Sequence, residues 1–508
     1  GGTPGYRNSV VGIPPFPVIR SFQWSPPCPT SNDSVNVQVT LDAPERIREA
    51  TLCAELHSSS GTVPTTAFPM ALTEQNPEQA VFQCVIPPCP SQTLVRFYLQ
   101  VALTDGTDVQ LPPLGKPRPF ESYFVYDNEI HAELPLLWIF PTNRVGVSAT
   151  TLPISGIVVK PVTSEQVLVF DGARVEDAFT GQKIRFLKGE EFRGDRTINL
   201  SPGNPLISPS FGPQSLHVEH ISYRLFRDFG VLAPRCDWYR VIENGQHSQR
   251  IAIQQPNERF LAINGRDDEG NIYKIAYNEQ DHFNESGIPD FRYKKQTNTD
   301  EDCGDLFQML RTINASSEAA RGRALRAYLN VQEVMAYSVV SVFLANWDGF
   351  HNNMFLYHNP APIDRWECVP WDLDQTFGFV PVAELNPLFQ EIPLDYPLTG
   401  ICPSTRRPPG MISKPFHSDS ELDAAYRAWL GRELDGLLSE ERIGEMIAGA
   451  ENLLLSDLDL MEQHLRVRKT NYRQQMMQSY EAMRTFLRLQ HEYLRSQLPV
   501  SIEDWQIH

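Results

Sequence analysis

Alternation of apolar and polar residues marks the first quarter of the chain. Residues 35–41 (VNVQVTL) and 95–103 (VRFYLQVAL) carry this period of two, and shorter strand-like pieces lie at 53–55, 81–86 and 123–126. Several short strands with proline- and glycine-containing turns between them are typical of an antiparallel β-sandwich. We therefore predict an immunoglobulin or fibronectin III-like sandwich over residues 21–128, acting as an architectural spacer or as a ligand-binding module.

The pattern changes to mixed α/β from residue 134. Apolar runs predict strands at 136–140, 156–162, 166–170, 183–187, 237–242, 250–253 and 271–277. Between them, apolar residues recur at helical spacing over 214–229 and stop at Gly230, which predicts a helix. The strands and this helix predict an α+β domain over residues 129–508.

The strongest helical pattern covers residues 317–346 and leads directly into Asn346-Trp347-Asp348. Two strand-like pieces follow, 354–358 and 366–369, with a proline- and asparagine-containing turn between them. Residues 379–416 are rich in proline, and we predict a lid or a substrate surface there. From residue 418 the pattern is helical, ending in an amphipathic helix over 479–498.

The composition is that of an acidic, folded protein. Hydrophobic residues make up 41% of the 508, and the formal net charge is −18. Without an extended basic stripe, the chain is not expected to bind nucleic acid or an anionic membrane. The longest apolar run, 339–345, is far shorter than the roughly 20 residues that a membrane-spanning helix requires.

Neither the ends of the chain nor its cysteines indicate its cellular compartment. No basic-then-apolar leader is visible, and the opening Gly-Gly-Thr-Pro-Gly is expected to be the tail of a longer parent chain. We predict that residues 1–20 are a linker after an upstream domain. The eight cysteines show neither a C-x-x-C pair nor zinc spacing. A disulfide among Cys28, Cys53, Cys84 and Cys89 and four unpaired thiols are both compatible with the sequence.

Two acidic groups flank the predicted strand pair. Asp348 is followed five residues later by Asn353, and Asp372 and Asp374 come after the second strand. A strand pair returns its two ends to the same place, and a phosphoryl-transfer site needs a carboxylate for the hydroxyl proton and oxygen ligands for Mg²⁺. The alternative interpretation is that these are helix-cap and turn residues with solvated charges.

The run NWDGFHNNMFLYHN…RWECVPWDLDQTFG resembles the signature of the spore-coat protein H (CotH) family of atypical protein kinases. The likeness extends over roughly residues 130–500 and includes KIRF at 183–186, EFRGDRTINL at 191–200, NIYK at 271–274 and YKK from Tyr293. The opening GGTPGYRNS resembles the junction after a lamin-tail domain in bacterial envelope proteins that carry such kinases.

The resemblance implies a divergent kinase fold that uses ATP with Mg²⁺ to phosphorylate Ser or Thr of a coat or cell-surface protein. It also implies an extracellular or cell-envelope location in a bacterium. By matching the family motif, Asp348 is implied as the base, and Asn353 and Asp372 as the metal ligands, with Asp374 as the alternative to Asp372.

The chain departs from the family pattern on the phosphate-binding side. The family has Arg-Gly-Asn-Ser-Ser and Lys-Lys-Ser stretches, whereas residues 174–182 here read RVEDAFTGQ. Lys183 is then the nearest candidate for the nucleotide phosphates, with Lys160 and Lys188 as competitors and a plain surface lysine as the other interpretation. Gln254 stands where the family has a Glu, so a Lys–Glu pair is expected to be lost.

These departures leave three functional hypotheses. The first is an active Ser/Thr kinase. The second is an inactive kinase-like protein that binds partners at a surface, and the third is a nucleotide transferase that adds AMP.

Overall fold

The computed structural model describes residues 17–59, 61–114, 116–140, 155–178, 181–201, 214–275, 295–346, 349–350, 352–379, 412–461 and 469–498. The backbone forms two compact units. The first holds the described residues up to Val175 together with Val241–His247, and the second holds Glu176–Arg240 and the described residues from Ser248 onward.

Two antiparallel sheets make up the first part of the first unit. One has the order β1-β2-β6-β5, with β1 Ile19–Ser25, β2 Val35–Asp42, β5 Ala71–Gln75 and β6 Gln79–Ile86. The other has the order β4-β3-β7-β8, with β9 also paired to β7; its strands are β3 Ile47–Ser58, β4 Gly61–Pro69, β7 Thr93–Leu103, β8 Asp108–Leu111 and β9 Glu121–Val125. Alternate residues of both sheets, such as Val37 and Leu99, fill one core. The predicted β-rich region is therefore confirmed, while its immunoglobulin or fibronectin III type stays a prediction.

A second core of the first unit continues past the sandwich. Strands β10 Leu136–Phe140, β11 Ser155–Lys160 and β12 Leu168–Ala178 pair antiparallel in sequence order. Trp138 of β10 packs with Phe124 of β9 and Leu94 of β7. Arg96 and Asp171 form a buried ion pair with a nitrogen–oxygen distance of 2.6 Å. A buried charge is stable only when it is paired in this way.

The second unit begins with strands and one long helix. Strand β13 Gly181–Arg185 pairs with β14 Thr197–Ser201, and β14 pairs with β16 Gln246–Gln254. Helix α1, Gln214–Asp228, and strand β15, Cys236–Glu243, lie between β14 and β16 in the chain. Helix α1 falls where the sequence predicts a helix, because Val218, Ile221 and Leu225 lie on one buried face.

A three-stranded antiparallel sheet follows, in the order β17-β18-β19. Its strands are β17 Asn271–Ile275, β18 Met354–Asn359 and β19 Arg365–Pro370. Phe355, Tyr357 and Val369 pack against Phe260 and Leu261 of the short helix α2, Glu258–Ile263. The predicted strand pair is therefore present, with a third strand along one side.

Helices make up most of the remaining described residues. They are α3 Gly304–Ala315, α4 Glu318–Tyr328, α5 Val331–Phe343, α6 Ser413–Ser418, α7 Ser420–Glu433, α8 Glu440–Met461 and α9 Lys469–Gln497. The predicted lid at 379–416 lies outside the described residues except for Phe379 and residues 412–416.

The prediction of one helix over 317–346 is wrong, because the chain forms two helices, α4 and α5. Leu329 is extended (φ −97°, ψ 148°) and pairs with Trp366 of β19. The Asn330 amide nitrogen donates to the Trp366 carbonyl at 2.9 Å. The Asn330 side-chain oxygen then accepts from the Glu333 amide and caps α5. An asparagine that caps a new helix and pairs with a strand therefore breaks the helix, although the apolar periodicity continues.

The seven cysteines in the described part of the chain are all free thiols. They include Cys28, Cys53, Cys84 and Cys89, so of the two alternatives that the sequence leaves open, the structure has the unpaired one.

Candidate functional site

The hairpin of β18 and β19 brings Asn353 and Asp372 to the same end of the sheet. Met354 lies opposite Pro370, and one residue further out the Trp371 amide donates to the Asn353 carbonyl at 3.1 Å. Asn353 (φ 48°) and Asp372 (φ 58°) both have left-handed backbones. Asn and Asp tolerate this conformation better than other residues with a side chain. The side-chain amide of Asn353 and the carboxylate of Asp372 are therefore both carried by left-handed residues just outside the two strands.

Asp348 lies outside the described residues, but the residues on either side of it are anchored. Asn346 is buried, and a Cβ atom at Gly349 would collide with the Asn346 side chain. The Tyr337 hydroxyl of α5 donates to the Gly349 carbonyl at 2.5 Å. Only glycine fits this close approach, so the Asp-Gly sequence at 348–349 meets a packing requirement as well as any chemical one.

Helix α1 holds the segment from Asp372 to Gly378. The Asp372 amide donates to the Tyr223 hydroxyl at 3.2 Å, and the hydroxyl oxygens of Ser222 and Thr376 are 2.8 Å apart. The Phe377 amide donates to the Leu344 carbonyl at 2.7 Å. Helix α1 and the end of α5 therefore fix the turn that presents Asp372.

Glu219 is an acidic residue that the sequence reasoning missed. It lies on α1, is only 3% exposed, and accepts a long hydrogen bond of 3.5 Å from Ser201. Burial raises the pKa of its carboxyl well above the usual range, and the negative charge of Asp372 raises it further. The signal was present in the sequence, because Glu219 interrupts the apolar positions of α1 between Val218 and Ile221.

Asp372 is exposed at the surface. Neighbouring atoms nevertheless desolvate its carboxyl, which raises the pKa of Asp372, and the nearby Lys274 ammonium opposes the rise. Because the Asp372 side chain is exposed, a metal ion or a nucleotide can approach it from solvent. Asp372 is thus an accessible carboxylate that interacts electrostatically with a buried acid, Glu219, and with Lys274.

Two lysines flank this site. Lys274 of β17 lies 6.0 Å from the centre of the Trp371 ring and acts electrostatically on Asp372. Lys183 of β13 is half-buried; burial lowers the pKa of its ammonium, and Arg185 and Lys274 lower it further. Lys188 is exposed in the turn after β13. Lys274, the last residue of the NIYK run, is therefore a phosphate-side candidate to which the sequence reasoning gave no role.

Gln254 serves a structural purpose, because its side chain bonds Asp195 and the Arg235 backbone. Its side-chain nitrogen donates to Asp195 at 2.7 Å, and its side-chain oxygen accepts from the Arg235 amide at 3.2 Å. Asp195 also pairs with the Arg235 guanidinium at 2.7 Å. Local hydrogen bonds therefore accommodate the glutamine at position 254. Its presence is not evidence against a phosphate-binding lysine elsewhere.

The donor set fits a hard divalent cation. Mg²⁺ prefers oxygen ligands, typically one or two carboxylates together with substrate phosphates. Asp372 offers a carboxylate and Asn353 an amide oxygen, and the repulsion between Asp372 and Glu219 is of the kind that a cation relieves. Within the described residues, no group of three or more His, Cys, Asp and Glu forms a metal cage. Asp372 and Asn353 are two oxygen ligands of the kind that Mg²⁺ takes from a protein beside phosphates.

Comparison with known proteins identifies the family. A family model described as "CotH kinase protein" matches residues 188–494, which is more than half of the 508 residues. The chain therefore belongs to the CotH kinase family, and the predicted family membership is confirmed. Asn353 and Asp372 both lie within the matched region.

One characterised relative is the inner spore coat protein H of Bacillus subtilis (strain 168). It is 27% identical over 206 residues, which cover 38% of this chain and 54% of that protein. This chain thus matches only about half the length of the relative.

Similar solved structures are more remote. The Helicobacter pylori proinflammatory kinase CtkA shares 8% identity at a TM-score of 0.27, covering 65% of this chain and 98% of that one. A cycloalternan-forming enzyme from Listeria monocytogenes shares 10% identity at a TM-score of 0.17, covering 35% of this chain and 17% of that one. At TM-scores this low, neither likeness carries an argument about fold or function.

The helices give one further finding. Among those in the described ranges, none is long and apolar enough to cross a lipid bilayer.

Proposed function

We propose that this chain is a protein kinase that transfers the γ-phosphoryl group of ATP to a Ser or Thr hydroxyl of a coat or cell-surface protein, with Mg²⁺. The observation that carries the proposal is that left-handed Asn353 and Asp372 both lie at the same end of the β18–β19 hairpin. Membership of the CotH kinase family and the coat protein among its relatives support both the chemistry and the location, in a bacterial coat or cell envelope.

In this proposal each residue has one role. Asp348 accepts the proton of the acceptor hydroxyl as its oxygen attacks the γ-phosphorus and the bond to the β-phosphate oxygen breaks. The Asp372 carboxylate and the Asn353 amide oxygen would hold Mg²⁺, which neutralises phosphate charge when it is bound. Lys274 lies near Asp372 and supplies a further positive charge for the phosphates, and Lys183, which interacts electrostatically with Lys274, is the second lysine proposed for them.

Transfer of labelled γ-phosphate to the chain itself or to a Ser-rich protein tests the proposal. We expect Asp348→Asn and Asp372→Asn each to lower the rate by on the order of 100-fold or more, because each removes a group that acts on the reacting phosphate. Asp374→Asn, two residues further on, is expected to have less than about a tenfold effect, since we place the metal on Asp372. Transfer that survives both of the first two changes would refute the proposed roles.

A further inference from the structure

A pocket of about 340 Å³ on the second unit is lined by an unusual number of cations. Four basic side chains line it: Lys183, Arg185, Arg196 and Arg259. Within the described residues, Glu258 is the one acid in the lining, and only Phe186 and Pro256 are apolar. Pockets for uncharged or aromatic ligands are lined mainly by hydrophobic side chains, so this lining indicates an anion.

The cations are not fully neutralised by their surroundings. Arg185 pairs with Glu176 at 3.1 Å, the Arg259 guanidinium makes a long hydrogen bond of 3.4 Å to the Gly194 carbonyl, and Glu191 interacts electrostatically with both Arg259 and Arg196. Lys183 lies near enough to Arg185 and Lys274 to be repelled by both, while Glu176 attracts it. Although the whole chain has a net charge of −18, the cations of this pocket repel one another. A bound anion relieves that repulsion.

The pocket is linked to the candidate site through its lysine. Lys183 belongs to the pocket lining and interacts electrostatically with Lys274, which in turn interacts with Asp372. Lys274 therefore interacts electrostatically both with a lysine of the pocket and with the carboxylate that we propose as the metal ligand.

We propose that this pocket binds the phosphate groups of an anionic ligand and does not hold a nucleobase. Guanidinium groups present planar pairs of donors that match phosphate oxygens, and three arginines offer more of them than a neutral base can use. A base would need apolar faces to stack on, and Phe186 and Pro256 are the only candidates in the lining. The inference goes beyond the proposed kinase activity, because such a pocket holds phosphate whether or not transfer takes place.

Calorimetric titration with sodium tripolyphosphate, which has phosphates and no base, is the test. The double variant Arg196→Gln/Arg259→Gln is expected to bind at least about tenfold more weakly than the wild type, since each charge-assisted hydrogen bond is worth on the order of tenfold. The matched control is Arg323→Gln/Arg488→Gln, which removes the same charge from exposed positions outside the pocket. Its affinity is expected to stay close to that of the wild type.

Three results would overturn the proposal: no binding to the wild type, equal weakening in the control pair, or displacement of tripolyphosphate by adenosine. Thermal unfolding of both double variants checks that they fold. Competition then identifies the source of the phosphate, because a phosphoserine peptide and ATP each displace tripolyphosphate only if their own phosphates occupy the pocket. The Asp348→Asn variant should bind tripolyphosphate normally, so a failure of the kinase proposal stays distinguishable from a failure of this one.

Discussion

The residues of the candidate site differ in how readily the sequence reveals them. Asn353 and Asp372 are evident because they stand at the two outer ends of a strand pair, where register alone brings them together. Glu219 and Lys274 are not, because a single acid on an apolar helix or one lysine in a strand has many structural explanations. Their relation to the site becomes visible only in the folded structure, where both interact electrostatically with Asp372.

Position 254 provides a prediction at the scale of one residue. Gln254→Glu restores the residue typical of the family but sets a carboxylate against Asp195, which now accepts from the Gln254 amide at 2.7 Å. We expect the free energy of unfolding at neutral pH to fall by about 1–3 kcal/mol, because a buried donor is replaced by a like charge. Urea unfolding measures this change. Higher stability together with faster transfer would contradict it and would support a missing catalytic Glu.

At the scale of elements, helix α1 positions the turn that carries Asp372. Tyr223→Phe removes the hydroxyl that accepts from the Asp372 amide at 3.2 Å. We expect kcat to fall on the order of tenfold, because a displaced metal ligand misaligns the phosphate, and the free energy of unfolding to fall by about 1 kcal/mol. The KM for the protein acceptor should change little.

The control for this change is Tyr480→Phe. Tyr480 is also buried, but its hydroxyl has no hydrogen-bond partner in the described structure. Both kcat and stability should therefore stay near the wild-type values. An equal fall in kcat for the two variants would mean that α1 has no special role.

The far end of the three-stranded sheet contains a pH-dependent cluster. His358 bonds Asp305 of α3 at 2.8 Å and Asp364 at 2.9 Å. Burial alone would lower the pKa of His358, but these two carboxylates outweigh it, and the net shift is upward. Burial likewise opposes the shift of Asp305, whose hydrogen bonds from His358 and Tyr273 lower its pKa to about 2.

The signs of these shifts fix the pH range of the cluster's contribution. A raised His pKa stabilises the fold fully below its unfolded value of about 6.5, and this contribution is lost as the pH rises through the folded pKa. The lowered Asp305 pKa contributes above its ordinary value of 3.8, and that contribution is lost as the pH falls toward 2. We expect wild-type stability to decline from pH 6 to pH 9 more steeply than that of His358→Gln. Parallel declines in urea unfolding would contradict this prediction.

Elements also show where sequence patterns fail. The hairpin of β18 and β19 and the helix α1 follow from periodicity and lie within a residue or two of their predicted bounds. The break between α4 and α5 does not follow from it, because the apolar face continues through Leu329 while Asn330 caps α5 and pairs with Trp366 of a distant strand. A long-range contact of this kind cannot be deduced from local periodicity.

At the scale of the whole molecule, an ion pair joins the strands of the second unit to its C-terminal helices. Arg240 of β15 and Asp457 of α8 are both fully buried, with a nitrogen–oxygen distance of 2.6 Å. Gln249 of β16 also donates to Asp457 at 3.0 Å. The C-terminal helices are therefore an integral part of this unit.

Asp457→Ala leaves the Arg240 guanidinium buried without its carboxylate. We expect a loss of about 3–5 kcal/mol in the free energy of unfolding, measured by urea or thermal unfolding. Asp459→Ala on the same helix breaks an exposed ion pair with Arg473 and should cost less than about 1 kcal/mol. Similar losses for the two variants would show that burial of the Arg240 pair is not what ties α8 to the strands.

The outline of the whole chain's architecture could be predicted from its sequence. The change of period near residue 134 separates a β-rich region from an α/β region with helices at its end, and the structure confirms that order. The pocket with four cations was not accessible, because Lys183, Arg196 and Arg259 are scattered along the sequence and meet only through the pairing of β13 and β14 and the placement of α2.

Calorimetric titration of ATP, with and without Mg²⁺, tests whether Asp372 anchors a metal-dependent nucleotide site. The wild type and Asp374→Asn are expected to bind ATP at least about tenfold more tightly with Mg²⁺ than without it, and Asp372→Asn is expected to lose that difference, because its carboxylate is the proposed anchor of the metal. ATP binding that is absent, or that is equally strong with and without Mg²⁺ in all three proteins, would contradict a metal-dependent nucleotide site and favour an inert kinase-like binding protein.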